Sequence, residues 1–168
     1  MIFSAFSDGW FDLAGQKVRC ALGKSGVREA ADKREGDNAS PLGVWPIRRV
    51  LYRPDRGAAL QIALPVKPIG PNDGWCDAPA DPAYNHPVAH PYSASAEHLW
   101  RADGLYVYVL VLGHNDDPVV PGAGSAIFLH VARPDYGLTE GCVALAKSDV
   151  EALLKVAQPG DAIAIRRA

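Results

Sequence analysis

The sequence reads as a mostly β domain of mainly antiparallel strands, with one helix near the C-terminus. The 168 residues include 16 glycines and 14 prolines, a supply of turn formers that divides the chain into short segments. Most of those segments alternate apolar and polar residues, or run apolar and β-branched, as strands do. Only the stretch after Lys147 holds a helical period. At this length one domain around one core is expected.

Residues 13–22 form a hairpin on this reading, with Ala14-Gly15 as the turn and Val18, Cys20 and Leu22 alternating along the returning arm. Residues 23–41 are polar, and Lys24, Arg28, Lys33, Arg34 and Glu35 make them a solvated loop. A β-branched strand follows over residues 44–52, and Pro54 closes it. Residues 65–91 are too rich in proline for regular structure and read as one long loop. Long loops in compact domains are usually functional, and Trp75 and Tyr84 would order this one beside a site as candidate substrate-binding aromatics. Residues 105–112 are apolar on both faces, which predicts a central strand. Residues 125–131 predict another. The helix opens on a Ser148/Glu151 capping box, with Val150, Leu153, Leu154 and Ala157 at i, i+3, i+4 and i+7. Pro159-Gly160 stops it, and residues 161–166 alternate as a final strand.

Composition excludes several classes. Hydrophobic residues make up 48% and charged residues 21%, which fits a globular domain rather than a disordered or membrane protein. The net charge of -2, the pI of about 6.2 and the scattered basic residues leave no footprint for nucleic acid. The longest apolar stretch, residues 105–113, is about half of the roughly 20 residues a helical membrane span requires. Residues 1–9 carry no basic leader and no signal-peptide core, so the protein is expected in the cytoplasm, or in the periplasm or cell envelope if a signal was removed or export is non-standard. Cys20, Cys76 and Cys142 leave one thiol unpaired in any disulfide scheme, which fits a reducing compartment.

The chemistry concentrates in one segment. His130 and Cys142 each stand six residues from Tyr136, so a symmetric hairpin with its tip there would set them directly opposite. Opposed residues on antiparallel strands have Cβ atoms about 4.5–5.5 Å apart, near enough for an imidazole to reach a thiol. A cysteine thiol is mostly protonated at neutral pH, and an adjacent imidazole can take its proton and leave an ion pair. Gly141 removes bulk before the nucleophile and lets the amides of Gly141 and Cys142 face a developing oxyanion.

His130 followed by Thr139-Glu140-Gly141-Cys142 and a helix resembles the catalytic motif of the L,D-transpeptidase (YkuD-type) family, a histidine followed by Ser/Thr-x-Gly-Cys. The resemblance extends to Ser40-Pro41-Leu42-Gly43-Val44-Trp45, similar to that family's Thr-Pro-x-Gly-x-Phe segment, and to the Pro159-Gly160-Asp161 exit of the helix. It implies a β-sandwich whose cysteine attacks the carbonyl between an L-centre and a D-residue of a peptidoglycan stem tetrapeptide, releasing D-alanine and leaving an acyl-enzyme. It maps the catalytic base to His130, its orienting carbonyl to Val131, and the oxyanion amides to Glu140, Gly141 and Cys142. It also implies muropeptides as partners, carbapenems as covalent inhibitors and no cofactor. The chain departs from the family at Glu140, where many members carry histidine, and at Ala144, where many carry arginine or asparagine.

Of the other candidates, Arg133 can bind a substrate carboxylate, and Glu140 either binds an amine acceptor or caps the loop in solvent. His114 and Asn115 follow the central strand, where a loop delivers polar groups to a cleft, and Thr139 belongs to the motif. His86 and His90 stand four apart, but Pro87 and Pro91 forbid the helix that would set them on one metal-binding face, so no metal is expected. Cys20 and Cys76 are structural, with Cys76 the more exposed. The functional classes are an acyl-transfer enzyme passing the stem peptide to an amine (transpeptidase) or to water (L,D-carboxypeptidase), a non-catalytic wall-binding module, and a general cysteine protease. The presence of both nucleophile and base favours the first.

Overall fold

A computed structural model describes residues 1–57 and 60–168 of the chain. The strands are β1 (Ile2–Phe6), β2 (Trp10–Leu13), β3 (Gln16–Ala21), β4 (Val27–Arg28), β5 (Ser40–Pro41), β6 (Gly43–Tyr52), β7 (Val66–Pro68), β8 (Asp73–Cys76), β9 (Pro87–Ala89) and β10 (Ala96–His98). Then come β11 (Tyr108–Leu112), β12 (Phe128–Val131), β13 (Val143–Leu145), helix α1 (Lys147–Val156) and β14 (Ala162–Arg166). Mostly β with one C-terminal helix is therefore the observed class.

Nine strands form one sheet in the order β11-β12-β13-β3-β2-β1-β14-β6-β7, and β11 also pairs with β6, so the ladder closes on itself. Two strands turn the corners. β6 pairs with β14 through residues 43–46 and with β11 through residues 47–52, while β3 pairs with β2 along most of its length and with β13 at Cys20 and Ala21. The two halves face each other over a core that joins Phe3 and Ile163 to Leu110, Leu129 and Val143. Helix α1 adds Val150, Leu153 and Leu154 to it.

The first hairpin turns at Ala14 and Gly15, both at positive φ (52° and 91°), the geometry that matches the twist of a two-residue hairpin. β11 is buried on every residue because its two faces meet different cores. Leu110 and Leu112 enter the main one, while Val109 and Val111 join a second with Leu51, Ile69, Trp75 and Phe128.

Four expectations are corrected. Residues 65–91 are not one loop: β8 pairs with β9 and with β10 in a small three-stranded sheet. Its prolines sit where a sheet tolerates them, with Pro87 opening the outer strand β9. The 23–41 segment is not wholly solvated, since Lys33 is only 2% exposed. Cys76 is fully buried rather than exposed. Helix α1 starts one residue before Ser148 and its N-cap, Ala146, makes no side-chain cap bond; the Ser148/Glu151 box does not form, because Ser148 already lies in the first turn. Among the described residues no helix is long and apolar enough to cross a membrane.

The helix thus depends on its apolar face. Leu153→Ala, at a fully buried position, should lower stability by about 2–5 kcal/mol, whereas Ser148→Ala should stay within about 0.5 kcal/mol. Urea denaturation of both variants checks this, and a large loss from Ser148→Ala would restore the cap.

Candidate active site

β12 and β13 run parallel, with Leu129 opposite Val143 and His130 opposite Ala144. The antiparallel hairpin expected around Tyr136 does not form. Instead, residues 132–142 carry the chain back to the starting end of β12, held on the way by the backbone at Leu22–Lys24: Thr139 N–H donates to Leu22 O at 2.9 Å and Lys24 N–H to Thr139 O at 2.8 Å. One step before Val143, Cys142 therefore lies beside Phe128, whose N–H donates to its Sγ at 3.4 Å. Alternate residues of a pleated strand share a face, so His130 and Cys142 stand on one side as a diagonal pair. Diagonal neighbours in a sheet lie about 7–8 Å apart, with their Cβ atoms somewhat closer, still within reach of a long side chain.

The His130 ring is fixed from two directions. Its Nδ1 lies 2.9 Å from Val131 O; a carbonyl only accepts, so Nδ1 carries the hydrogen and Nε2 keeps its lone pair for a proton. Tyr106 meets the ring edge-on at 5.3 Å. Burial lowers the His130 pKa to about 4, against the opposing pull of the Val131 carbonyl. Cys142 donates its S–H to Ala126 O at 3.2 Å, and burial, then the nearby Glu97 charge, pushes its pKa up to about 12. The resting pair is therefore a neutral thiol and a neutral imidazole. The ion pair expected from proximity alone is disfavoured because charging the buried His130 and the half-buried Cys142 costs solvation that the site does not return.

Both side chains line a cleft of about 580 Å³. Thr139 braces its floor: Oγ1 donates to Cys142 O at 2.7 Å and accepts Gly141 N–H at 3.1 Å. The Gly141 amide, expected to face the oxyanion, is thus engaged. Gly141 is required for another reason, since its φ is +139° and a Cβ there would lie 3.0 Å from Ala39 O. Glu140 and Arg133 also line the cleft, with exposed side chains. Among lining residues that the sequence did not single out, Glu97 accepts a hydrogen bond from Tyr106 Oη. Burial pushes its pKa up to about 7.

Trp75, Tyr84, His114 and Asn115, expected at the substrate, stand behind the cleft wall instead. Trp75 packs edge-on against Phe128 at 5.0 Å. Asn115 ties its own loop, donating to Val120 O and Gly124 O. His114 packs against the edge of Trp45 at 4.8 Å, and its buried Nδ1 has no hydrogen-bond partner among the described residues. Tyr84 belongs to a set of side chains that holds the approach to β12. Gly124 N–H donates to Tyr84 Oη, Ser125 N–H to Glu35 Oε2 and Ala126 N–H to Asn85 Oδ1, each at 3.0 Å. Glu35 and Asn85 were not legible as site residues. Asn85 offered one signal, a residue type that tolerates positive φ, which it adopts at 57°.

Among the described residues no three metal-ligating side chains gather; His90 stacks on His98 at 3.6 Å instead. The chain belongs to the YkuD family: the model of the L,D-transpeptidase catalytic domain matches residues 6–165, nearly its whole length. No curated protein matches it.

Burial, then the charge of Lys33, lowers the His114 pKa from 6.5 to about 4. The unfolded chain takes up this proton first, so the stability His114 contributes is complete above about pH 6.5 and is lost as pH falls toward 4. Relative to His114→Leu, the wild type should lose ground across that window and hold level below it. Urea midpoints at several pH values test this, and a difference independent of pH would rule it out.

Proposed function

We propose that this member of the L,D-transpeptidase family transfers the acyl group of peptidoglycan stem tetrapeptides through a Cys142 thioester, with His130 as the base. The observation that carries the reading is the Nδ1–Val131 contact, which leaves Nε2 as the proton acceptor on the face that also carries Cys142. With the carbonyl between the L-centre and the D-residue seated against Sγ, the S–H hydrogen leaves Ala126 O for Nε2 as the S–C bond forms. Because both groups rest uncharged, the thiolate arises only as it attacks. The amides of Glu140 and Cys142 receive the oxyanion, since that of Gly141 is held by Thr139. His130 returns its proton to the departing D-alanine amine, leaving the acyl-enzyme. Arg133 is suited to a carboxylate of the donor.

Transfer to an amine acceptor gives a cross-link, and this is the family's reading. A second reading, transfer to water to give L,D-carboxypeptidase activity, is favoured by Ala144. It lines the cleft where many family members carry arginine or asparagine, and a methyl group offers an acceptor strand no hydrogen bond. Glu140 remains available to an acceptor amine. Cytosolic residence fits hydrolysis of free tetrapeptides, whereas residence in the envelope fits cross-linking; cell fractionation separates the two.

Incubation with a disaccharide-tetrapeptide, read by mass, should give a cross-linked dimer or a tripeptide from the wild type. Cys142→Ala should abolish turnover with the fold intact, His130→Ala should be comparably damaging, and the double variant no worse, because such groups act as a unit. Near-normal turnover by Cys142→Ala would falsify the mechanism. A carbapenem should add its mass to the wild type and not to Cys142→Ala; an adduct at Cys76 would mean that the reactive thiol lies elsewhere.

A further inference from the structure

We infer that Asn85 is a positioning residue for the reacting thiol: its side-chain amide anchors the N–H of Ala126, and the carbonyl of that same residue, one peptide unit on, receives the Cys142 S–H. The inference rests on Cys142 being the nucleophile. Asn85 does not line the cleft and makes no hydrogen bond to His130 or Cys142. It acts at one remove, through a backbone segment that has no strand to hold it.

That segment needs external support. Residues 124–126 precede β12 without belonging to it. Ala126 lies at φ +52°, a left-handed conformation that a side chain with a Cβ disfavours. Gly124, at φ +103°, bends the chain just before it. Three consecutive N–H groups that would ordinarily pair with a neighbouring strand instead end on Tyr84, Glu35 and Asn85. The third of these anchors lies closest to the sulfur. Ala126 O is 3.2 Å from Cys142 Sγ, and two residues on, Phe128 N–H reaches the same atom at 3.4 Å. The sulfur is thus held by the segment's Ala126 as acceptor and by the first residue of β12 as donor.

Asn85 is itself held by every hydrogen bond its amide can make. Oδ1 accepts Trp75 Nε1–H at 2.9 Å and Ala126 N–H at 3.0 Å, while Nδ2 donates to His114 O at 3.2 Å and Asn115 O at 2.7 Å. Two acceptor sites and two hydrogens are the full capacity of the group. Reversing the amide would set N–H against N–H and carbonyl against carbonyl, so its orientation is fixed by its partners. At 7% exposure no solvent replaces a lost bond. Removing the amide releases Ala126 N–H, lets the 126–127 carbonyl turn, and frees the thiol to rotate away from the line of attack. Binding of the stem peptide, which occurs on the other side of the segment, is left in place.

The test compares Asn85→Ala, Asn85→Asp and Trp75→Phe. Trp75→Phe removes another buried bond to the same Oδ1 without touching the segment, and so reports a purely structural loss. Asn85→Ala should lower kcat on tetrapeptide by on the order of ten- to a hundredfold, with KM within about twofold of wild type. It should also displace the pH midpoint of Cys142 alkylation by iodoacetamide, followed by peptide mass. Asn85→Asp, which keeps the acceptor for Ala126 N–H, should recover part of the kcat loss. Trp75→Phe should lower the melting temperature and keep the wild-type alkylation midpoint. If Asn85→Ala retains the wild-type kcat and midpoint, or if Trp75→Phe shifts the midpoint as far at equal loss of melting temperature, Asn85 is only structural. Should Asn85→Ala not fold, Asn85→Gly, which tolerates the φ of +57°, decides in its place. A wild type inert on tetrapeptide would refute the proposed function, while the alkylation comparison still decides the role of Asn85.

Discussion

Cys142 and His130 come together because β13 runs parallel to β12, and much of the site follows from that pairing. Parallel neighbours cannot be joined by a tight turn, so residues 132–142 must travel the length of β12 before β13 begins. The backbone at Leu22–Lys24 fixes the return path through its bonds to Thr139. The motif Thr139-Glu140-Gly141-Cys142 occupies the last part of this return, where Thr139 closes a small ring of bonds around Gly141 and Cys142. A threonine, with a glycine at positive φ and a cysteine two and three positions after it, thus keeps this spacing for reasons of backbone geometry as well as chemistry.

Burial shapes the electrostatics. A histidine and a cysteine in water differ by about two units in pKa, whereas here burial widens the gap, to about 4 and about 12. Such a pair carries no charge at rest, and a protonated thiol is the less reactive form toward stray electrophiles. On the proposed mechanism its activation comes with the substrate, whose carbonyl gives the negative charge a destination among the backbone amides. Glu97, which opposes a thiolate from across the cleft, works in the same direction.

The hairpin at Ala14-Gly15, the two-faced strand β11 and the apolar stripe of α1 were legible because each is written in local periodicity or turn chemistry. The diagonal placement of His130 and Cys142 was not. Their spacing about Tyr136 suits a symmetric hairpin equally well, and the choice was made by Leu22 and Ala21, which no local pattern around residue 136 reveals. The 65–91 segment misled for a related reason: proline density argues against central strands but says little about short edge strands such as β9. Glu35 lay inside a run of charge, and only the tertiary fold distinguishes a solvated carboxylate from one that accepts two bonds from Ser125.

The grip on residues 124–126 comes from chain segments far apart, with Glu35 and Ser125 separated by 90 positions and Asn85 and Ala126 by 41. Contacts of that kind close large loops, and closing them carries an entropy cost that is met only once the rest of the domain supports it. A nascent or partly unfolded chain therefore holds a cysteine, a histidine and the motif between them without the arrangement that brings the two side chains to one face. The site geometry belongs to the completed domain, so a chain still being synthesised, or one nicked in either remote segment, lacks it.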